Sequence, residues 1–320
     1  MDLYLEFDDH SKRHRRGRRG YGRRNRSRKP WIIGIIIVLV VIIGVFFGGR
    51  KYMAYRKAQQ EKARRLAEAR KIVTVMIPEG YSIDMMAKRL EDQGVFKADE
   101  FIAAVKDTSQ YSNKFIKDIP SKNGVKYQLE GYLYPDTYKI YKSSKPKDLI
   151  QKMLDNFEKK YSVLAKDYKG KHSMAEIMTI ASMIEREAKV ESERPVIAGV
   201  IENRLAKKMQ LQIDPTVLYT TTTGLYNAKK VYYKDLKVKT VYNTYVIKGL
   251  PAGPICNPSD TAIKAAMNPK KHKYLYYRTD GSKKGTHVFT KTFDEHKKAK
   301  STSTKDKNST NSTNTTNSNS

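Results

Sequence analysis

The segment from Met174 to Asp214, MAEIMTIASMIEREAKVESERPVIAGVIENRLAKKMQLQID, decides how the rest of the chain is read, because it sets acidic side chains on an otherwise apolar helix. At about 100° per residue, Ile177, Ala181, Ile184 and Ala188 share one face with Ile180 close by, and Glu185 and Glu187 fall on opposite shoulders of that stripe. Spacing alone does not choose between the two. A poorly solvated carboxyl resists ionisation, which keeps a glutamate protonated near neutral pH and able to act as a general acid. The plainer alternative makes both glutamates solvated flank residues paired with Arg186 or Lys189.

Further stretches occur in order around this helix. They are EGYLYPDTY (Glu130 to Tyr138), LQIDPTVLY (Leu211 to Tyr219), YNTYVIKGLPAGPICNPS (Tyr242 to Ser259), AIKAAMNP (Ala262 to Pro269) and YLYYRTDGSKKGTHVFTKTFDEH (Tyr274 to His296). Together with ASMIEREA, from about Ile72 to His296, they closely resemble the endolytic murein transglycosylase family, also called MltG-like or YceG-like. The resemblance implies a bacterial, membrane-anchored lyase that cuts nascent peptidoglycan strands internally between N-acetylmuramic acid and N-acetylglucosamine, leaving 1,6-anhydro ends and ending strand elongation. It aligns the catalytic acid with Glu187, with Glu185 as the alternative. The following Ala188 departs from the Ser or Thr common after the acid in other lytic transglycosylases.

The chemistry implied needs one carboxyl group. Ordinary glycosidases use two, one to protonate the leaving oxygen and one as nucleophile or base. A lytic transglycosylase uses the sugar's own C6 hydroxyl, so one glutamate donates a proton to the glycosidic oxygen and then takes the C6 hydroxyl proton as that oxygen closes on C1. Tethering the nucleophile to the electrophile removes part of the entropic barrier.

Candidate substrate-binding residues surround that acid in the motifs. Tyr132 and Tyr134 offer aromatic faces to sugar rings, Glu130 could orient substrate, and Asp214 reads either as a turn or helix cap or as a cleft residue. Asn203, Gln212, Asn243 and Asn257 carry amides suited to N-acetyl and hydroxyl groups, or form ordinary polar surface. The loop GLPAGPICNP, Gly249 to Pro258, favours a rigid irregular backbone of the kind that walls a cleft.

The N-terminal fifth places this chemistry. Trp31 to Gly48, WIIGIIIVLVVIIGVFFG, is an uncharged run of 18 residues, near the minimum for crossing a hydrocarbon core of about 30 Å. The tract Lys12 to Lys29, KRHRRGRRGYGRRNRSRK, has no acid, so the positive-inside rule expects a cytoplasmic N-terminus and an extracellular remainder. Nucleic-acid binding is the competing reading of that tract, and attraction to anionic lipid is the simpler one.

The expected organisation is α+β. It comprises a basic tail (1–30), a transmembrane helix (31–49), a helical stalk (50–71), a small LysM-like α/β module (72–108), a larger mixed catalytic domain (109–298) and a disordered Ser/Thr/Asn tail (299–320). The single cysteine, Cys256, allows no internal disulfide, and Cys–His catalysis is not expected. The scattered histidines show no metal-ligand spacing, so no metal or cofactor is expected. Partners implied are peptidoglycan strands, membrane lipid, and peptidoglycan synthases with elongation or division proteins, without nucleic acid. A non-catalytic peptidoglycan-binding scaffold is the alternative function.

Overall fold

The computed structural model describes residues 29–228, 230–281 and 285–299. The basic tract up to Arg28 and the C-terminal tail from Lys300 lie outside them. The chain divides into two units, Met1–Leu66 and Ala67–Ser320.

In the first unit the apolar run and the stalk are one element. Helix α1, Lys29–Ala69, is 41 residues long, or about 60 Å at 1.5 Å per residue. It contains no proline after Pro30, and its run of Ile, Val and Phe is exposed along its whole length. Trp31–Ala69 is long and apolar enough to cross a membrane.

The second unit is mixed α+β, as expected from sequence. Strand β1 (Ile72–Met76) alternates Val75 inward with Thr74 and Met76 outward, and helix α2 (Ile83–Asp92) buries Ile83, Met86, Ala87 and Leu90. Ser82 caps α2 by accepting from the Met85 amide at 3.2 Å. Helix α3 (Ala98–Lys106) packs on α2, with Phe101 and Val105 in the core.

The boundary expected at residue 108 is crossed by the fold. β1 pairs antiparallel with β2 (Thr137–Tyr141), Ile72 opposite Tyr141 and Met76 opposite Thr137. α3 also packs on α4 (Pro146–Leu164), so residues 72–108 share strand and core with the segment from β2 to α4. A separate LysM-like module is not confirmed among the described residues, where the strand of this segment takes its ladder partner from β2.

Helix α5 (Met174–Glu187) is the central element. Ser173 and Glu176 close a reciprocal capping box at its start. The expected apolar stripe is a full jacket: every residue from Ile177 to Ser182 and on to Ile184 is buried, because α6 (Arg194–Ala206), α7 (Asp214–Thr221) and α8 (Asp260–Met267) all pack on α5. Ala188 is the C-cap with ψ 105°, so Glu187 is the last helical residue. A hairpin of β3 (Tyr276–Thr279) and β4 (His287–Thr290) pairs Tyr277 with Phe289.

Candidate active site

Glu187 stands where α5 ends, beyond the tightly packed stretch, with part of its surface open to solvent. Protein nonetheless crowds its carboxyl, and that desolvation, reinforced by the negative charge of Asp214, raises its pKa to about 7, while a hydrogen bond from the Tyr277 hydroxyl opposes the rise. The C-terminal end of a helix dipole also disfavours an anion. A glutamate in this state is protonated in roughly half of the molecules at neutral pH.

Local geometry explains how its neighbours arrive. The start of α7 is pinned to the 243–245 segment by Thr244, whose hydroxyl accepts from the Ile213 amide at 2.9 Å and bonds Thr216 at 2.9 Å. That places the Tyr245 hydroxyl on the Asp214 carboxylate at 2.5 Å. Gln212, in the left-handed region at φ 53°, is held by its amide to the Thr244 carbonyl and by its side-chain oxygen to Arg204 at 3.2 Å. Arg204 also donates to the carbonyls of Leu275, Gln210 and Leu211, tying α6 to the chain entering β3. β4 is anchored in turn by His287, which bonds Glu193 through both backbone amide and ring. Tyr277 lies on β3 opposite Phe289 of the strand so anchored.

Glu185 faces elsewhere. Its carboxylate receives Arg194 at 3.1 Å, the Ser259 amide at 3.0 Å and the Ser259 hydroxyl at 2.5 Å, and both charged side chains are over nine-tenths buried. This acid is committed to holding α5, α6 and α8 together.

Residues 50–302 match the sequence model of the YceG-like family. The chain belongs to that family. It is 36% identical over 237 residues to an endolytic murein transglycosylase of Bacillus subtilis, covering 71% of this chain and 64% of the relative. To one of Streptococcus pneumoniae it is 36% identical over 225 residues, covering 65% of this chain and 41% of the relative. The chain thus spans less than two thirds of the length of these curated relatives. The crystal structure of a yceG-like protein from Listeria monocytogenes aligns with a TM-score of 0.61 at 36% identity, covering 70% of this chain and 75% of that one.

Of the residues singled out by sequence, Asp214 acts on Glu187 through its charge in this YceG-like fold, and Gln212, two residues before Asp214, is bonded to Arg204. The others serve the scaffold. Glu130 is buried, accepting from the Ile83 amide, Asn257 and the Tyr219 hydroxyl, and desolvation lifts its pKa to about 8. Tyr132 offers no face to a sugar, because it is fully buried with its ring edge-on to Phe157 at 5.2 Å. Tyr134 is also core, its hydroxyl bonded to Asp260. Asn203 braces the carbonyls of His272 and Tyr274, and fully buried Asn243 braces those of Leu236 and Val238. Asn257, equally buried, accepts from the Leu133 amide and donates to Tyr81 and Glu130.

The loop 249–258 is irregular, and part of it is a core contact, the Ile255 amide donating to Ser182 on α5 at 3.0 Å. Burial pushes the Cys256 thiol well up, which keeps it from acting as a thiolate. Tyr245, Tyr277 and Arg204 were not singled out by sequence reasoning. Both tyrosines lie inside the motifs YNTY and YLYY, and that repeated placement was the signal available.

Proposed function

We propose that the chain is a membrane-anchored lytic transglycosylase that cuts peptidoglycan strands internally and leaves 1,6-anhydro ends. The observation that carries this reading is the paired state of the two glutamates: Glu185 is locked to Arg194 and Ser259, while Glu187 is raised in pKa beside an open surface. The names of the Bacillus and Streptococcus relatives support the same chemistry.

In this reading Glu187 begins protonated and gives its proton to the glycosidic oxygen as the bond to C1 breaks. The carboxylate formed then takes the proton of the C6 hydroxyl as that oxygen bonds C1. The apolar part of α1 anchors the chain, with the second unit outside and nascent strands, synthases and growth or division proteins as its partners.

The test uses full-length protein in detergent with purified murein, measuring release of 1,6-anhydro-muropeptides. Glu187→Gln keeps the shape and removes the proton, so activity falls by about 10²-fold or more. Glu185→Gln weakens a buried ion pair, so it lowers the melting temperature while the folded fraction still forms anhydro products. An active Glu187→Gln variant alongside a folded but inactive Glu185→Gln variant would sink the assignment.

A further inference from the structure

Helix α7 packs on α5, and each helix carries a carboxyl group with different surroundings. Glu187 is crowded by protein. Asp214 is exposed on the first turn of α7, a place where an acid commonly bonds free backbone amides. Its carboxylate caps nothing: the N-cap position is Ile213, and the hydrogen bond to Asp214 comes from Tyr245. Among the described residues Asp214 has no ion-pair partner either. An exposed carboxylate, held by a tyrosine hydroxyl, thus lies on a helix packed against the one that ends in the acid, and its charge acts on Glu187.

We propose that Asp214 is a second catalytic carboxylate, set against the sugar ring as positive charge develops at C1 while Glu187 handles the proton. This rests on the transglycosylase reading. The C1–oxygen bond breaks with its electron pair going to the leaving oxygen, which takes the Glu187 proton. A lone pair of the C6 oxygen forms the new bond to C1, and the C6 hydroxyl proton passes to the Glu187 carboxylate. Asp214 forms no bond and takes no part in the proton transfer; its carboxylate opposes the positive charge of an oxocarbenium-like transition state. Its influence strengthens when a glycan strand displaces water from the site.

The groups around the pair fit these roles. Tyr277 from β3 bonds Glu187, and Tyr245 bonds Asp214. Arg204 from α6 lies beside both tyrosines, but its guanidinium is taken up by three carbonyls and Gln212. The negative charge of Asp214 also helps Glu187 hold its proton before substrate binds.

The experiment compares pH-rate profiles of full-length wild type, Asp214→Asn and Asp214→Glu on purified murein in detergent, with melting curves on each. Asp214→Asn should lose about 10²-fold in kcat with a smaller change in KM. Its basic limb should move toward acid, since removing the neighbouring anion lowers the Glu187 pKa. Asp214→Glu should recover part of the rate and restore the limb, and the products should stay 1,6-anhydro throughout. If Asp214→Asn does not fold, the same profile is read on Asp214→Ser.

A wild-type rate in the charge-removed variant overturns the proposal. So does a lowered rate with an unmoved basic limb, which would leave Asp214 as a shape-giving residue only. Glu187→Gln is run in parallel: wild type that forms no 1,6-anhydro product overturns the transglycosylase reading, an active Glu187→Gln removes Glu187 as the acid, and a dead Glu187→Gln with an active Asp214→Asn overturns the role of Asp214 alone.

Discussion

Glu185 and Arg194 meet at 3.1 Å across the turn between α5 and α6, both over nine-tenths buried. Two residues further along α5, about 200° around the helix, Glu187 has no ion pair among the described residues and faces Asp214 and Tyr277. Breaking the Glu185 pair would strand a buried charge, a cost of about 3–5 kcal/mol. One glutamate of EREA therefore holds the fold, and the other is free to exchange a proton.

The rate should report on that proton. With Glu187 raised to about 7, wild-type activity falls along a basic limb centred near that value as the acid form is lost. Tyr277→Phe removes a hydrogen bond that favours the charged form, so the limb should move toward alkaline pH, opposite in direction to the shift expected for Asp214→Asn. Profiles on murein decide it; an acid shift in folded Tyr277→Phe would contradict the geometry at the end of α5.

Stability should carry the signature of Glu130. Its pKa is about 8 in the fold against 4.5 ordinarily. Below 4.5 both states hold the proton. Between 4.5 and about 8 the unfolded chain releases it while the folded chain retains it, so this group makes stability fall as pH rises through that window, by on the order of a few kcal/mol. Glu130→Gln should flatten the decline in melting temperature between those values and leave anhydro product formation mostly intact. Equal slopes in the two proteins would show that Glu130 is not held neutral.

Orientation can be read with a protease. Added to intact protoplasts, it should cut the chain after Arg50 and spare an epitope placed before Lys12, as the positive-inside rule expects of an arginine-rich flank. Loss of that epitope from outside would reverse the topology.

Much of the framework was legible from short-range signals. Eighteen consecutive uncharged apolar residues need no tertiary context to read as a membrane-length helix, and α1 has that length. The strand, turn and helix read from Ile72 onward also appear, since alternation and apolar spacing act within a few residues of the chain. Asp214 stands out on the strength of its motif, and the fold brings its charge to bear on Glu187.

The sequence by itself determined which side chains were on hand: two glutamates at the end of an apolar helix, an aspartate before a proline, and tyrosines set through the motifs. Tertiary structure decided what each one faces. Tyr277 reaches Glu187 from 90 residues away, and β1 finds its partner in β2 some sixty residues on, distances over which propensity and periodicity carry no information. Tyr132 and Asn257 read as cleft residues because polar and aromatic groups suit sugars, yet packing around α4 and α5 closed over them. The choice between Glu185 and Glu187 was open for the same reason. A carboxyl becomes an acid or an anchor according to whether a cation or a crowded, cation-free wall arrives beside it, and only the folded chain brings either one there.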